Sequence, residues 1–410
     1  MKKIMVLGAG RGQIPIIELA KKYDCEVVAV SPEGNYPGLK IADKVIYENV
    51  KDMEKVLCVA QEEQIDGIVT DQLDAGVLTC SYVAEKMGIK GIGYNTALKF
   101  TDKFEMRKAA FEAGVAVPEF VSVSSPDDFY KIDKLGFPLI MKPVDSSASR
   151  GVKRVENFEE FKAYYDFTRN YSKSGQVIVE KLLSGKEFVV EAFTKSNRIT
   201  NLCIGHRDYF DIPGTFIPNA TVFLDAQSAN SDVEKKILET NEKLIKAYGL
   251  PFGITHGEYI YDDKTDTVYL VEIAARGGGV FISSELIPAC CSVNANDLLI
   301  REVLGIDNDK EIEIKKGSSA YFCYLTPNGI VSRLDDIDKV ERIDGVVKAF
   351  FDNIELGAVS KSILDKSSRK GPILVKGLTK EDCYNVIDKI KKTVKIEVTE
   401  NKDVKNIIWN

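Results

Sequence analysis

The first hundred residues alternate short apolar runs with helix-period segments: KKIMVLGAG, IPIIELAKKY, CEVVAVSP, MEKVLCVAQEEQ, IDGIVTDQ, VLTCSYVAEKMG and KGIGYN. Such apolar runs offer no polar face to water, so both of their faces must be covered, and the intervening amphipathic segments are what covers them. The pattern predicts parallel βαβ units wound into a doubly wound sheet.

From TDKFEMRKAAFEAGVAVPEF the pattern changes to one helix, a Gly-Val turn and a proline, then FPLIMKPV, whose apolar strand runs straight into a lysine. GQVIVEKLLSG and KEFVVEAFT, joined by a glycine-containing turn, read as an antiparallel pair. From about residue 316, SSAYFCYLTPNGIV and Gly/Asp-rich segments suggest a small last unit, closed by the helix KEDCYNVIDKIKKT and the strand VKIEV. The expected organisation is an α/β domain over 1–98, a two-lobed α+β domain over 99–312 with its smaller lobe at about 115–180, and an α+β domain over 313–410. A chain of 410 residues with 44% hydrophobic and 29% charged side chains can bury that many cores.

Several function classes drop out. The net charge of −7 is spread over interspersed Lys and Glu, which argues against a nucleic-acid binder or a polybasic membrane anchor. Glycines and Arg11 interrupt the opening apolar run before it reaches a signal-peptide core, and no stretch has the ~18 apolar residues of a membrane span. Eight cysteines without a CxxC pair, mostly inside apolar segments, fit buried free thiols in a reducing cytoplasm. The expectation is a soluble cytoplasmic protein. With only His206 and His256 present, a multi-histidine metal centre is excluded and a Ser or Cys triad has few candidate bases.

Gly8, Gly10 and Gly12 follow a strand and precede a helix, where a phosphate could sit on the helix N-terminus. A GxGxxG fingerprint would need glycine at Gln13, and the second strand ends in Val30-Ser31 rather than in a ribose-binding acid. A tight strand-to-helix turn bordering a small-molecule site is the better reading.

Four features then converge on nucleotide chemistry. Lys103 lies near a helix start, and Lys142 ends an apolar strand, where its charge must be satisfied close to the core; a bound phosphate would do so. Read alone, either could be a snorkelling surface lysine. The run Asp145-Ser146-Ser147-Ala148-Ser149-Arg150-Gly151-Val152 is small enough for main-chain N–H groups to approach phosphate oxygens, though it also suits an ordinary hairpin loop. Glu180, Glu187, Glu258 and Glu272 follow, and a hairpin across DDKTD would set Glu258 beside Glu272. Paired inward carboxylates repel unless a cation lies between them, and Mg²⁺ bound to phosphates is the common solution. Arg276, before three glycines, offers a fork of donors suited to a carboxylate or an acyl phosphate.

In this order of residues the chain resembles the ATP-grasp superfamily, within its carboxylate-amine (amino-acid) ligase branch. The resemblance covers nearly the whole length, from GAGRGQIPIIELAKKYDCEVVAVSPEGN to the final hundred residues. It implies an ATP-grasp fold and roles for the residues. Lys103 and Lys142 would contact the nucleotide phosphates. Glu180, Lys181, Leu182 and Leu183 would line the adenine pocket, partly through backbone groups, and Glu187 would bind the ribose hydroxyls. The loop through Ser146, Ser147, Ser149, Arg150 and Gly151 would close over the terminal phosphate. Glu258 and Glu272 would ligate Mg²⁺ or Mn²⁺. Arg276, catalytic together with Lys142, would hold the acyl phosphate or the substrate carboxylate, with Gly277, Gly278, His206 and His256 near the substrate. The implied partners are small-molecule carboxylate and amine substrates and a second copy in a homodimer, with no nucleic acid and no membrane.

Two departures matter. Many relatives read Glu-x-Asn-x-Arg where this chain has Glu272-Ile273-Ala274-Ala275-Arg276, so the Asn metal ligand is missing. Some carboxylating relatives in purine synthesis lack it too, which leaves the substrate class open. Ala148 stands where many relatives have glycine. The expected reaction is acyl-phosphate formation followed by amide formation; its rivals are activation of bicarbonate or transfer of a one-carbon unit, and a catalytically silent ATP-binding protein.

Overall fold

The computed structural model describes residues 1–146, 150–212, 217–306, 310–351, 353–360, 363 and 368–410. Near the N-terminus four parallel strands form one sheet in the spatial order Lys44–Tyr47, Glu26–Ser31, Lys3–Leu7 and Gly67–Val69. Alternation of side chains along a strand sends Ile4, Val6 and Val27 to one face and Met5, Leu7, Val28 and Val30 to the other. Helices Met53–Glu63 and Asp74–Met87 cover the second face. The first is covered by helix Ile14–Lys22 and, from far along the chain, by helix Ala295–Leu304, whose Ile300, Val303 and Leu304 join the same core. Both faces are thus covered, as the continuous apolar runs require.

A second sheet is antiparallel, with Phe120–Val123, Val177–Lys181, Leu139–Pro143 and Lys153–Val155 side by side and helix Phe158–Arg169 packed on it. The antiparallel pairing expected between Val177–Lys181 and Lys186–Lys195 does not occur. Val177–Lys181 already has a partner on each edge, Phe120–Val123 and Leu139–Pro143, so its backbone donors and acceptors are engaged. The chain instead crosses through 182–185 into a different sheet. At Gly185 φ is +150°, and a Cβ there would lie 2.2 Å from the Tyr261 carbonyl oxygen, so the crossing needs glycine.

That third sheet has eight antiparallel strands in the order Thr267–Ala274, Gly253–Asp262, Lys186–Lys195, Arg198–Tyr209, Pro218–Asp225, Ser318–Tyr324, Lys370–Gly377 and Val346–Ala349. It runs without a break across residue 313. Helix Asp232–Tyr248, begun by a Ser231/Glu234 capping box, buries Ile237, Leu244, Ile245 and Tyr248 against one face. A last four-stranded sheet, Val359–Ser360, Gly329–Asp335, Lys395–Glu400 and Asp403–Asn406, shares a core with helix Lys380–Thr393.

Candidate active site

The period of two sorts the large sheet chemically. Phe188, Val190, Ala192, Ile204 and Tyr259 face helix Asp232–Tyr248. Glu187, Glu191, Arg207, His256 and Glu258 contact one another on the other face. The hairpin expected across DDKTD forms, and Glu258 and Glu272 are direct cross-strand partners.

Lys103 opens helix Lys103–Glu112, capped by the Asp102 carboxylate. Its buried ammonium donates to Glu272 Oε1 at 2.9 Å and to the Ser146 carbonyl at 2.7 Å. It therefore joins the hairpin to the start of the small-residue loop. Lys142 donates to Glu180 Oε2 at 2.6 Å, and Arg107 donates to Glu180 Oε1 at 2.6 Å and to the Val271 carbonyl at 2.6 Å. Burial pushes the Glu180 carboxyl up, but the two cations outweigh it and hold it at about 2. The Glu180 side chain is thus paired with both Arg107 and Lys142. Lys181 is exposed, Leu182 and Leu183 are half-buried, and the Lys181 and Leu182 amides donate to the carbonyls of Glu119 and Pro138. Leu182 and Leu183 begin the crossing between the two sheets.

Ser147 and Ser149, with Ala148, lie outside the described residues. The flanks of that loop are anchored: Asp145 accepts from the Lys173 and Ser174 amides, and Thr168 Oγ1 donates to the Gly151 carbonyl at 2.8 Å. Gly151 has φ +74°, and a Cβ there would meet Tyr171 and Pro143 within 2.9 Å. Arg150 is exposed at the loop's end.

Glu187 accepts from Arg207 NH1 at 2.5 Å and from the Tyr209 hydroxyl. Arg207 NH2 lies 2.8 Å from Glu258 Oε1. His256 is buried between Glu191, bonded at Nδ1, and Glu258, 3.3 Å from Nε2. Burial lowers its pKa, but Glu191 and Glu258 outweigh that and raise it to about 9, so it is an imidazolium at neutral pH and holds no lone pair for a proton.

The structure separates His206 from this group. Its ring faces the opposite side of the strand, 4.5 Å from the Phe188 ring and 3.2 Å from Glu234, which also pairs with Lys380 at 2.9 Å. Alternation along the strand puts His206 on the face away from Glu258, and its neighbour Arg207 on the face with it.

Arg276 donates from Nε to Asp74 Oδ1 at 2.7 Å and from NH1 to the Gly277 carbonyl at 2.9 Å. The Gly277 amide donates to Asp71 Oδ1 at 3.0 Å. A Cβ on Gly277 would come within 2.5 Å of Asp71 and Ser283, and one on Gly278 within 2.9 Å of His256 and Glu191. The Arg276–Gly278 main chain is thus pressed onto the charged floor. The turn 279–281 leads into a groove of about 360 Å³ lined by Arg11, Gly12, Gln72, Phe281, Phe350 and Pro372. Gln13, at the position of the third fingerprint glycine, closes the opening turn: its side chain accepts from the Gly10 amide and donates to the Asp71 carbonyl.

The profile of the ATP-grasp domain family matches residues 135–284. The L-arginine-specific L-amino acid ligase of Bacillus subtilis is 23% identical over 291 residues, 68% of each chain. The formate-dependent phosphoribosylglycinamide formyltransferase of Methanocella arvoryzae is 25% identical over 416 residues, 97% of this chain and 93% of the relative. Among solved structures, the L-amino acid ligase of Bacillus licheniformis superposes with a TM-score of 0.80 at 20% identity, covering 98% of this chain and 99% of that one. Residues 135–284 belong to the ATP-grasp domain family.

The matched ATP-grasp segment begins between the first two strands of the small sheet and ends just past the glycines after Arg276, so it contains every charged pair above except those made with Asp74, Lys103, Arg107 and Lys380. Glu258 and Glu272 offer hard oxygens opposite one another, a donor set that suits Mg²⁺. Among the described residues no group of three His, Cys, Asp or Glu side chains is placed to hold a metal. Ala274, where many ATP-grasp proteins carry Asn, is buried and apolar. Among the charged residues of this site that escape sequence reading are Arg107, Arg207 and Asp71. Their signal is weak, one charge within KFEMRKAAFE, CIGHRDYF and GIVTDQ, and only the fold shows Arg107 and Asp71 to be buried and the Arg207 side chain to be covered.

Proposed function

We propose that this chain is an ATP- and Mg²⁺-dependent ligase that activates a carboxylate as an acyl phosphate and joins it to an amine, releasing ADP and phosphate. The observation that carries the reading is the directly opposed pair Glu258 and Glu272, with the Lys103 ammonium on Glu272. Two carboxylates and a phosphate-seeking cation at one spot suit a metal–triphosphate complex.

Lys103 and Lys142 bind phosphate oxygens; Glu187 and the main chain of 180–183 hold the nucleoside; the Ser146–Gly151 loop, with Ser147 and Ser149, covers the terminal phosphate. Mg²⁺ or Mn²⁺, held by Glu258 and Glu272, supplies charge neutralisation on the phosphates. Arg276 orients the substrate carboxylate, one of whose oxygens attacks the γ-phosphorus in line while ADP leaves. The amine then attacks the acyl carbon, phosphate leaves, and the amine gives up one proton. No covalent nucleophile from the protein is needed, because positioning and charge neutralisation supply most of the rate in such transfers. The groove beyond Gly279 is the expected place for the acceptor.

Hydroxylamine trapping tests the reading. With ATP, Mg²⁺ and a panel of amino acids, one acid should yield a hydroxamate together with ADP. A second reading, activation of bicarbonate or formate, draws support from the full-length match to the formyltransferase. ADP release driven by bicarbonate or formate, with no amino acid effective, would replace the first reading with the second. ATP binding without turnover on any acid would leave a catalytically silent nucleotide-binding protein.

A further inference from the structure

Arg207 is held in an uncommon way. Its side chain is 6% exposed, and its two terminal nitrogens go to two different carboxylates, NH1 to Glu187 Oε1 at 2.5 Å and NH2 to Glu258 Oε1 at 2.8 Å. Nε is buried without a hydrogen-bond partner among the described residues. A guanidinium that served only to neutralise one glutamate would clamp it bidentately. This one is stretched between strands Lys186–Lys195 and Gly253–Asp262, whose register places Glu187 and Glu258 two rungs apart. His256 approaches the same oxygen of Glu258. Tyr209 holds the other oxygen of Glu187. The result is a chain of contacts, Tyr209–Glu187–Arg207–Glu258–His256–Glu191, joining the carboxylate read as the ribose ligand to one read as a metal ligand.

We propose that Arg207 is a positioning residue that couples recognition of the nucleotide's ribose hydroxyls at Glu187 to the affinity of the metal site at Glu258. The inference rests on the nucleotide and metal assignments above. Hydroxyls bonded to Glu187 fix that carboxylate, and the rigid guanidinium transmits the restriction to Glu258, which is then already oriented when the metal arrives. Groups outside a metal's own ligand shell act in this way, and losing one typically weakens the metal about 10–100-fold.

The experiment measures Mn²⁺ binding by the electron paramagnetic resonance signal of free Mn²⁺, with the protein saturated by ATP or by 2′,3′-dideoxy-ATP. Both nucleotides present the same triphosphate to the ion, so any difference arises in the protein. Wild type should bind Mn²⁺ about fivefold or more tightly with ATP than with the dideoxy nucleotide. Arg207→Lys keeps the charge but cannot span two carboxylates; its Mn²⁺ affinities should be lower with both nucleotides and equal to each other. Glu187→Gln, which leaves Arg207 in place, should equalise them as well and serves if the lysine variant does not fold. Equal affinities in wild type, or an undiminished ratio in the variants, overturn the coupling alone. A chain that binds neither nucleotide overturns the ATP assignment and the coupling with it.

Discussion

Glu180 is a carboxylate whose neighbours decide its charge. With Arg107 and Lys142 at 2.6 Å it stays ionised although it is buried. Its folded pKa, about 2, lies below the usual carboxylate value of 4.5, so the stabilisation it supplies is complete above pH 4.5 and is lost as pH falls toward 2. Urea titrations from pH 7 down to pH 2 should show wild type losing stability across that window and Glu180→Gln, less stable at pH 7, losing less of it. Arg107→Met leaves Glu180 facing Lys142 alone and should cost about 3–5 kcal/mol, read from the same titrations at pH 7. Glu272→Gln acts differently: it removes a metal ligand's charge with little change of shape. ADP formation should fall about a hundredfold or more while circular dichroism stays that of wild type. Wild-type turnover in that variant removes the metal assignment. At this scale Lys142 and Glu272 are legible in the sequence because each interrupts an apolar run. Arg107 is not, because helix KFEMRKAAFE is rich in charge and only the fold shows which charge faces inward.

Elements extend the same contrast. The hairpin Gly253–Asp262/Thr267–Ala274 is readable because DDKTD sets its register locally, and the opposition of Glu258 and Glu272 follows. Membership of Val177–Lys181 and Lys186–Lys195 in different sheets is not readable, since it depends on strands 34 to 60 residues away taking both edges of the first. The side of the strand on which His206 and Arg207 fall is likewise set by helix Asp232–Tyr248, not by the local run HRD. Helix Lys103–Glu112 offers a test of how an element delivers a functional group. Asp102 accepts from the amides of Phe104 and Glu105, so Asp102→Ala should cost about 1 kcal/mol by thermal unfolding. Because Lys103 is the first helical residue, the same change should raise KM for ATP more than it lowers kcat.

At the scale of the whole molecule, the eight-stranded sheet ties the last hundred residues to the centre. Ser318–Tyr324 pairs with Pro218–Asp225, and Tyr321, Cys323 and Leu325 share a core with Val189, Phe193 and Phe223. A chain stopped after residue 312 would leave that core open on one side. It should bind a hydrophobic dye and lack a cooperative thermal transition; a cooperative transition matching wild type would show the two parts to be separable. The N-terminal sheet carries a similar dependence in the opposite direction along the chain. Ile4 and Val6 pack against Ile300 and Val303, supplied by helix Ala295–Leu304. On a ribosome, strand Lys3–Leu7 must therefore wait through nearly three hundred further residues before that apolar face is fully covered, and the interval is one in which a chaperone has something to hold.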